Sequence, residues 1–113
     1  ASLSSDTFVL SGTSMPNGPT LYYQGTNQVA SGNGAPFGDG LRCAGGTLVR
    51  LGVKTNVSNA SQYPAPGDPS VSVRALLTTP VTRTYQAWYR DSAAFCTPSS
   101  FNLTNGVRVI WAP

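Results

Sequence analysis

Hydrophobic and polar residues alternate with a period of two in several short segments of this chain. The clearest segment is Thr82–Asp91. Its odd-numbered residues from Tyr85 to Tyr89 fall on one face of a predicted strand, and its even-numbered residues from Gln86 to Arg90 fall on the other. Aromatic side chains at such positions suit a half-buried sheet. We therefore expect this segment to be the central strand of the fold.

Other segments show the same type of pattern, and none shows a sustained helical period. The further predicted strands are Thr7–Ser11, Leu21–Gln24, Thr47–Lys54, Ser70–Leu76 and Gly106–Ala112. The first two should form a hairpin across a turn rich in Pro, Asn and Gly. Ser70–Leu76 should pair antiparallel with Thr82–Asp91, and Trp111 should face inward from the last strand. Many short strands separated by turns indicate an all-β fold.

The predicted architecture is a single domain, residues 1–113, built as an antiparallel β-sandwich, Ig-like or jelly-roll-like, with about six to eight strands. Ala1–Asp6 is polar and should be a flexible N-terminal segment. Gly25–Gly40 is the longest glycine-rich stretch and carries no nucleotide-binding fingerprint. Loops of this length are uncommon unless they are functional, so this one is a candidate binding loop.

Charge and hydropathy exclude several classes of function. Charged residues make up 10% of the chain, against roughly 25% in a typical soluble domain. The net charge is +3, but the seven cations are scattered singly, which argues against nucleic-acid binding. There is neither an apolar run long enough for membrane insertion nor a signal-peptide pattern. A polar, weakly charged surface of this kind is common in extracellular β-proteins.

Cys43 and Cys96 are the two cysteines. They cannot form a four-ligand zinc site alone, and the chain has no histidine to complete one. A disulfide between them is the favoured interpretation and would indicate an oxidising compartment. The alternative is two buried free thiols.

The residue inventory argues against an enzyme and against a cofactor. Without histidine, the Ser-His-Asp and Cys-His arrangements are impossible. The four acids each lie beside turn-forming residues, as structural aspartates do. Metal binding is not expected, although Asp39, Asp68 and Asp91 are weak candidates for calcium because loop carboxylates are the ligands that calcium prefers.

Aromatic rings are the other candidates for binding. Most must belong to the core of so small a domain, and Trp88 and Trp111 are expected there. Tyr22 and Tyr63 are predicted to be exposed and to bind ligand. Phe37 and Asp39, in the glycine-rich loop, complete the set of candidate ligand-binding residues.

Four segments of the chain carry a resemblance. They are LSGTSMPNGPTLYYQG, LRCAGGTLVRLG, YQAWYRD and FNLTNGVRVIW. In this order they resemble a C-terminal β-sandwich module of large secreted or cell-surface proteins of environmental bacteria. The family has no established activity, so the resemblance implies secretion, a sandwich fold and a non-catalytic accessory role. It assigns no catalytic or binding residue.

Two functions follow as hypotheses. The first is a non-catalytic extracellular binding module that recognises polysaccharide or another cell-surface ligand. The second is a structural subunit of an extracellular filament or surface layer, in which Ala1–Asp6 completes an edge strand of the next copy.

Overall fold

The computed structural model describes residues 1–37, 40–90 and 101–113. These residues form short and long strands, one 3-10 turn (Val29–Gly32) and one short helix. In chain order the elements are β1 (Leu10–Gly12), β2 (Gly18–Gln28), β3 (Ala35–Phe37), β4 (Gly40–Arg42), β5 (Ala44–Asn56), β6 (Ser61–Tyr63), α1 (Val71–Arg74), β7 (Val81–Arg90), β8 (Phe101–Leu103) and β9 (Val107–Trp111).

A five-stranded antiparallel sheet forms the centre of the fold. Its order is β5, β2, β7, and the far side of β7 is shared by β8 and β9. β9 pairs with residues 81–85 of β7, and β8 pairs with residues 88–90. The all-β prediction with antiparallel pairing is confirmed, and so is the central place of the strand predicted at Thr82–Asp91.

Two small ribbons accompany this sheet. β3 pairs with β4, and because β3 and the first residue of β4 belong to the glycine-rich stretch, that stretch is partly strand. β1 pairs with β6, with Leu10 opposite Tyr63. The hairpin predicted between the first two strands is thus wrong, because β2 pairs with β5 and β7 instead.

The strand predicted at Ser70–Leu76 is also wrong, because this segment contains α1. The backbone amide of Ser72, in the first turn of α1, donates to the Asp6 carboxylate at 2.9 Å. Leu76 has a φ of 56°, which ends the helix. The pattern of alternating apolar residues was misleading, since Val71 is fully buried whereas Val73 is 63% exposed.

The main core lies on one face of the sheet, between it and the β1–β6 ribbon, α1 and the N-terminal residues. Trp111 is 1% exposed, which confirms its predicted place in the core. Its Nε1 donates to Tyr85 Oη at 2.8 Å, and that hydroxyl donates to Gln24 Oε1 at 2.8 Å. These two hydrogen bonds pair the buried Trp111 N–H, the Tyr85 hydroxyl and the Gln24 carbonyl oxygen with one another, as a stable core requires.

The N-terminal segment is attached to the sheet instead of being free. The backbone amide of Ala112 donates to Ala1 O at 2.8 Å, and that of Leu3 donates to Ala112 O at 2.9 Å. Leu3 also packs against the core. The segment predicted to be flexible thus extends the sheet beyond β9.

Candidate functional site

The two faces of the five-stranded sheet differ in what covers them. Tyr22 and Ala87 are directly paired and face the main core. Their neighbours Leu21 and Trp88 are also paired and face the opposite side. We call these the core face and the groove face.

The groove face carries a wide, open groove of about 970 Å³. Its apolar lining residues come from β2, β5, β7, β8 and the β3–β4 hairpin: Leu21, Leu48, Val53, Trp88, Phe101 and Phe37. Leu48 is 45% exposed and Val53 is 62% exposed. Apolar walls of this extent are typical of ligand-binding clefts.

Three aromatic rings form a row along the groove. The ring centroids of Phe37 and Phe101 lie 5.2 Å apart, and those of Phe101 and Trp88 lie 5.6 Å apart. The Trp88 and Phe101 planes are tilted by only 35°. The Arg90 guanidinium lies 5.1 Å from the Trp88 ring centroid, within range of a cation–π contact.

Arginine side chains supply the charge of the groove. The four arginines that line it are Arg42, Arg50, Arg74 and Arg90. Among the described lining residues there is no carboxylate. Within residues 1–37, 40–90 and 101–113, the groove therefore combines apolar and aromatic walls with charged side chains that are all positive.

One end of the groove face is closed by the β3–β4 hairpin, which is fixed by the side chain of Gln86. The Oε1 atom accepts from the Cys43 amide at 2.8 Å, the Ala44 amide at 3.3 Å and the Tyr23 hydroxyl at 2.8 Å. The Nε2 atom donates to two carbonyl oxygens, that of Leu41 in β4 and that of Thr104 directly after β8, at 2.7 and 2.6 Å.

A small second core lies beneath this network. It contains Tyr23, Ala44 and Leu103, with Trp88 packed against it. Burial raises the pKa of Tyr23 to about 12, and the nearby Arg42 opposes part of that shift. The hairpin end of the groove face is therefore buried, whereas Val53 at the other end is 62% exposed.

A second recess is smaller, about 330 Å³, and lies on the core-face side near β1. Its lining includes Met15, Tyr22 and Tyr85, each at most 2% exposed. These side chains have little surface to offer a ligand, so the larger groove is the better candidate site.

The prediction that Tyr22 and Tyr63 are exposed is wrong, since they are 2% and 1% exposed. The Tyr22 hydroxyl lies 2.8 Å from Ser61 Oγ. The Tyr63 ring packs on Gly52, where any Cβ would come within 2.9 Å of it, and its hydroxyl donates to Pro69 O at 3.0 Å. Both rings hold the β1–β6 ribbon and its flanking loop on the core face.

Phe37 is 41% exposed and lies in the groove, where its predicted binding role stays a prediction. Asp39 and Asp91 lie outside the described residues. Asp68 forms an ion pair with Lys54 and accepts the Ala65 amide at 2.9 Å, and these two contacts lower the pKa of its carboxyl group. Asp68 therefore acts as a turn residue in this structure.

Cys43 is half-buried, and its Sγ lies 3.8 Å from Leu41 O, beside the Gln86 network. The Cys43 thiol is free in this structure. Its proposed partner, Cys96, lies outside the described residues, so the disulfide is not observed and stays a prediction.

Sequence reasoning missed most of the groove. Trp88 was assigned to the core, although it is only partly buried and has Arg90 over its ring. The signal was present in the alternation of β7, which places Gln86, Trp88 and Arg90 on the same face. Arg50 could not have been added without knowing that β5 lies two strands from β7.

Comparison with known proteins does not assign this arrangement. No family model matches the chain, and neither a curated protein nor a solved structure matches it. Among the described residues, no three acidic or cysteine side chains come together as possible metal ligands. The described helices are too short to cross a membrane.

Proposed function

We propose that this chain is a non-catalytic extracellular binding module and that it recognises polysaccharide in the groove. The observation that carries the proposal is the row formed by Phe37, Phe101 and Trp88 on an open sheet face. Sugar rings present apolar C–H faces and polar edges. A row of aromatic rings flanked by arginines offers a surface for both.

The proposal also covers the architecture of the chain, its disulfide and its resemblance to secreted proteins. We propose a reduced sandwich, in which the β1–β6 ribbon is the layer over the core face. The resemblance to a C-terminal module of secreted bacterial proteins and the Cys43–Cys96 disulfide belong to this proposal. The antiparallel all-β architecture supports it.

Two contacts weigh against the alternative, assembly by strand addition. Arg74 Nε donates to Leu51 O at 3.3 Å, at the register shift that β5 makes between its pairs with Tyr22 and Tyr23. An edge that is bulged and capped in this way is a poor acceptor for an added strand. The N-terminal donor segment would also have to leave Ala112.

The test is retention on insoluble polysaccharides and on a glycan array. Phe37→Ala and Trp88→Ala should each abolish or strongly weaken retention, because each shortens the aromatic row. Ile110→Ala is the matched control, since it removes an apolar side chain that is 66% exposed and is not among the groove residues.

Circular dichroism of every variant shows whether the fold is intact. Failure of the folded wild-type protein to bind any glycan would overturn the proposal. If Ile110→Ala lost as much binding as the groove variants, the groove would not be the binding site.

A further inference from the structure

The charges of the groove are not balanced by the acids of this chain. The chain has four acids in total. Asp6 accepts the amides of Phe8 and Ser72, and Asp68 pairs with Lys54. Only Asp39 and Asp91 remain. Four groove arginines against at most two aspartates leave a net charge of at least +2 there, wherever those two lie.

The arginines also keep donors available. Arg50 is exposed, and within the described part of the chain it makes neither a hydrogen bond nor an ion pair. Arg90 is exposed and stacks over Trp88. Arg42 and Arg74 use Nε to donate to the carbonyls of Ala44 and Leu51. A guanidinium has five N–H donors in a planar fork, so most of these remain free.

A second copy of the chain fits this surface poorly. A symmetric dimer through the groove face would bring arginines of both copies together, with no acid among the described groove residues to separate them. Like charges placed together across an interface cost several kcal/mol in general. The exposed apolar walls favour a bound ligand, and the arginines favour one that is negatively charged.

We infer that the polysaccharide bound in this groove is acidic, and that Arg50 and Arg90 hold its carboxylate or sulfate groups. This inference rests on the proposed polysaccharide function. The aromatic row contacts the sugar faces, and the guanidinium groups flanking it bind anionic substituents through paired N–H donors. Neutral chains of the same backbone would use the rings but not the arginines.

The experiment compares affinity electrophoresis and calorimetry for four polymers: polygalacturonate and alginate as carboxylated chains, carrageenan as a sulfated chain, and a neutral galactan. At least one acidic polymer should bind, and more tightly than the galactan. Added salt should weaken that binding, because exposed charges are screened. The acidic polymers that bind show whether carboxylate or sulfate is preferred.

Arg50→Gln and Arg90→Gln should each weaken acidic-polymer binding by about tenfold, the factor expected for a lost charge-assisted hydrogen bond. Arg108→Gln is the matched control, because it removes the same charge from an exposed position on β9 that is not in the groove. It should bind like the wild-type protein. An equal loss in Arg108→Gln would overturn the inference, since net charge alone would then explain the binding.

The remaining outcomes separate the inference from the function on which it rests. Groove-dependent binding of the galactan alone would overturn the inference and leave the proposed function standing. No binding to any polymer would overturn both. Arginine-dependent binding of single-stranded DNA, with no polysaccharide bound, would also overturn both and identify a nucleic-acid ligand.

Discussion

The two faces of the central sheet are made by the same strands with the same alternation, yet they have different surroundings. On the core face Tyr85 is fully buried and Trp111 is 1% exposed. On the groove face Leu48 and Val53 remain about half exposed or more, at 45% and 62%. The difference arises from the layers above each face. The β1–β6 ribbon and α1 cover one, whereas among the described residues the β3–β4 hairpin closes only an end of the other.

The polar groups of the two faces show the same contrast. Gln24, Tyr85 and Trp111 satisfy one another inside the core. Arg50 and Arg90 on the groove face are exposed and have no described carboxylate partner. The core face pairs its polar groups internally, as buried polar groups require, and the proposed binding face leaves its guanidinium groups available. The following experiments test this contrast.

Truncation of one large side chain on each face should give the largest difference. Trp111→Ala should lower the free energy of unfolding by about 3–5 kcal/mol, because it empties the centre of the core. Leu48→Ala should change it by no more than about 0.5 kcal/mol, because its side chain is already largely in water. Urea unfolding followed by fluorescence measures both. If the two variants lost similar stability, the distinction between the faces would be wrong. Should Trp111→Ala not fold at all, Trp111→Phe gives a smaller loss in the same direction.

Removal of a single hydroxyl from the core should have an intermediate effect. Tyr85→Phe leaves the Trp111 N–H and the Gln24 carbonyl without their shared partner and should cost about 1–3 kcal/mol. Tyr22→Phe is the comparator, because its hydroxyl contacts Ser61 at a site that is only partly buried. Chemical denaturation should rank Tyr85→Phe as the less stable variant, and the reverse order would contradict the assigned network.

The last effect is absent at neutral pH and should appear only in alkali. Burial raises the pKa of Tyr85 and of Tyr23 from 10.0 to about 12. The folded protein therefore holds these two protons more tightly than the unfolded chain. These two tyrosines should not change the stability below about pH 10, and the stability should fall as the pH rises from 10 to about 12.

Ultraviolet absorbance of tyrosinate, recorded during an alkaline titration, should show Tyr23 and Tyr85 as late-titrating groups, together with Tyr63, whose pKa is also raised by burial. Tyr23→Phe and Tyr85→Phe should each remove one of them. Titration of Tyr23 near its ordinary value would show that the hairpin end of the groove face is wet.

The long strands of the fold were predictable, because a period of two is visible wherever one face is buried. This holds for β5, β7 and β9, and it placed Trp111 correctly. It failed at α1, where four helical residues are too few to show a helical period. The decisive contact there comes from Asp6, which is 66 residues away from Ser72 in sequence.

The site was less predictable than the fold, for a physical reason. Alternation separates the two faces of a strand but does not say which will be covered. Tyr22 was therefore expected to be exposed but is buried, and Trp88 was expected in the core but lines the groove. The groove is also assembled from β2, β5, β7 and β8, and the order of these strands depends on pairings between distant segments. Phe37, which lines the groove, was among the candidates because it lies in a glycine-rich stretch that was interpreted as a binding loop.

The network around Gln86 bears on the ancestry of this chain. Its Oε1 atom accepts from three donors, and its Nε2 atom donates to two carbonyl oxygens. An amide can do both, whereas a carboxylate has no N–H to donate. Any homologue that keeps the hairpin over this face should therefore keep glutamine here. Lineages that lost the amide should have lost the hairpin with it. Descent could thus be traced through one side chain, in sequences too diverged for overall similarity to be recognised.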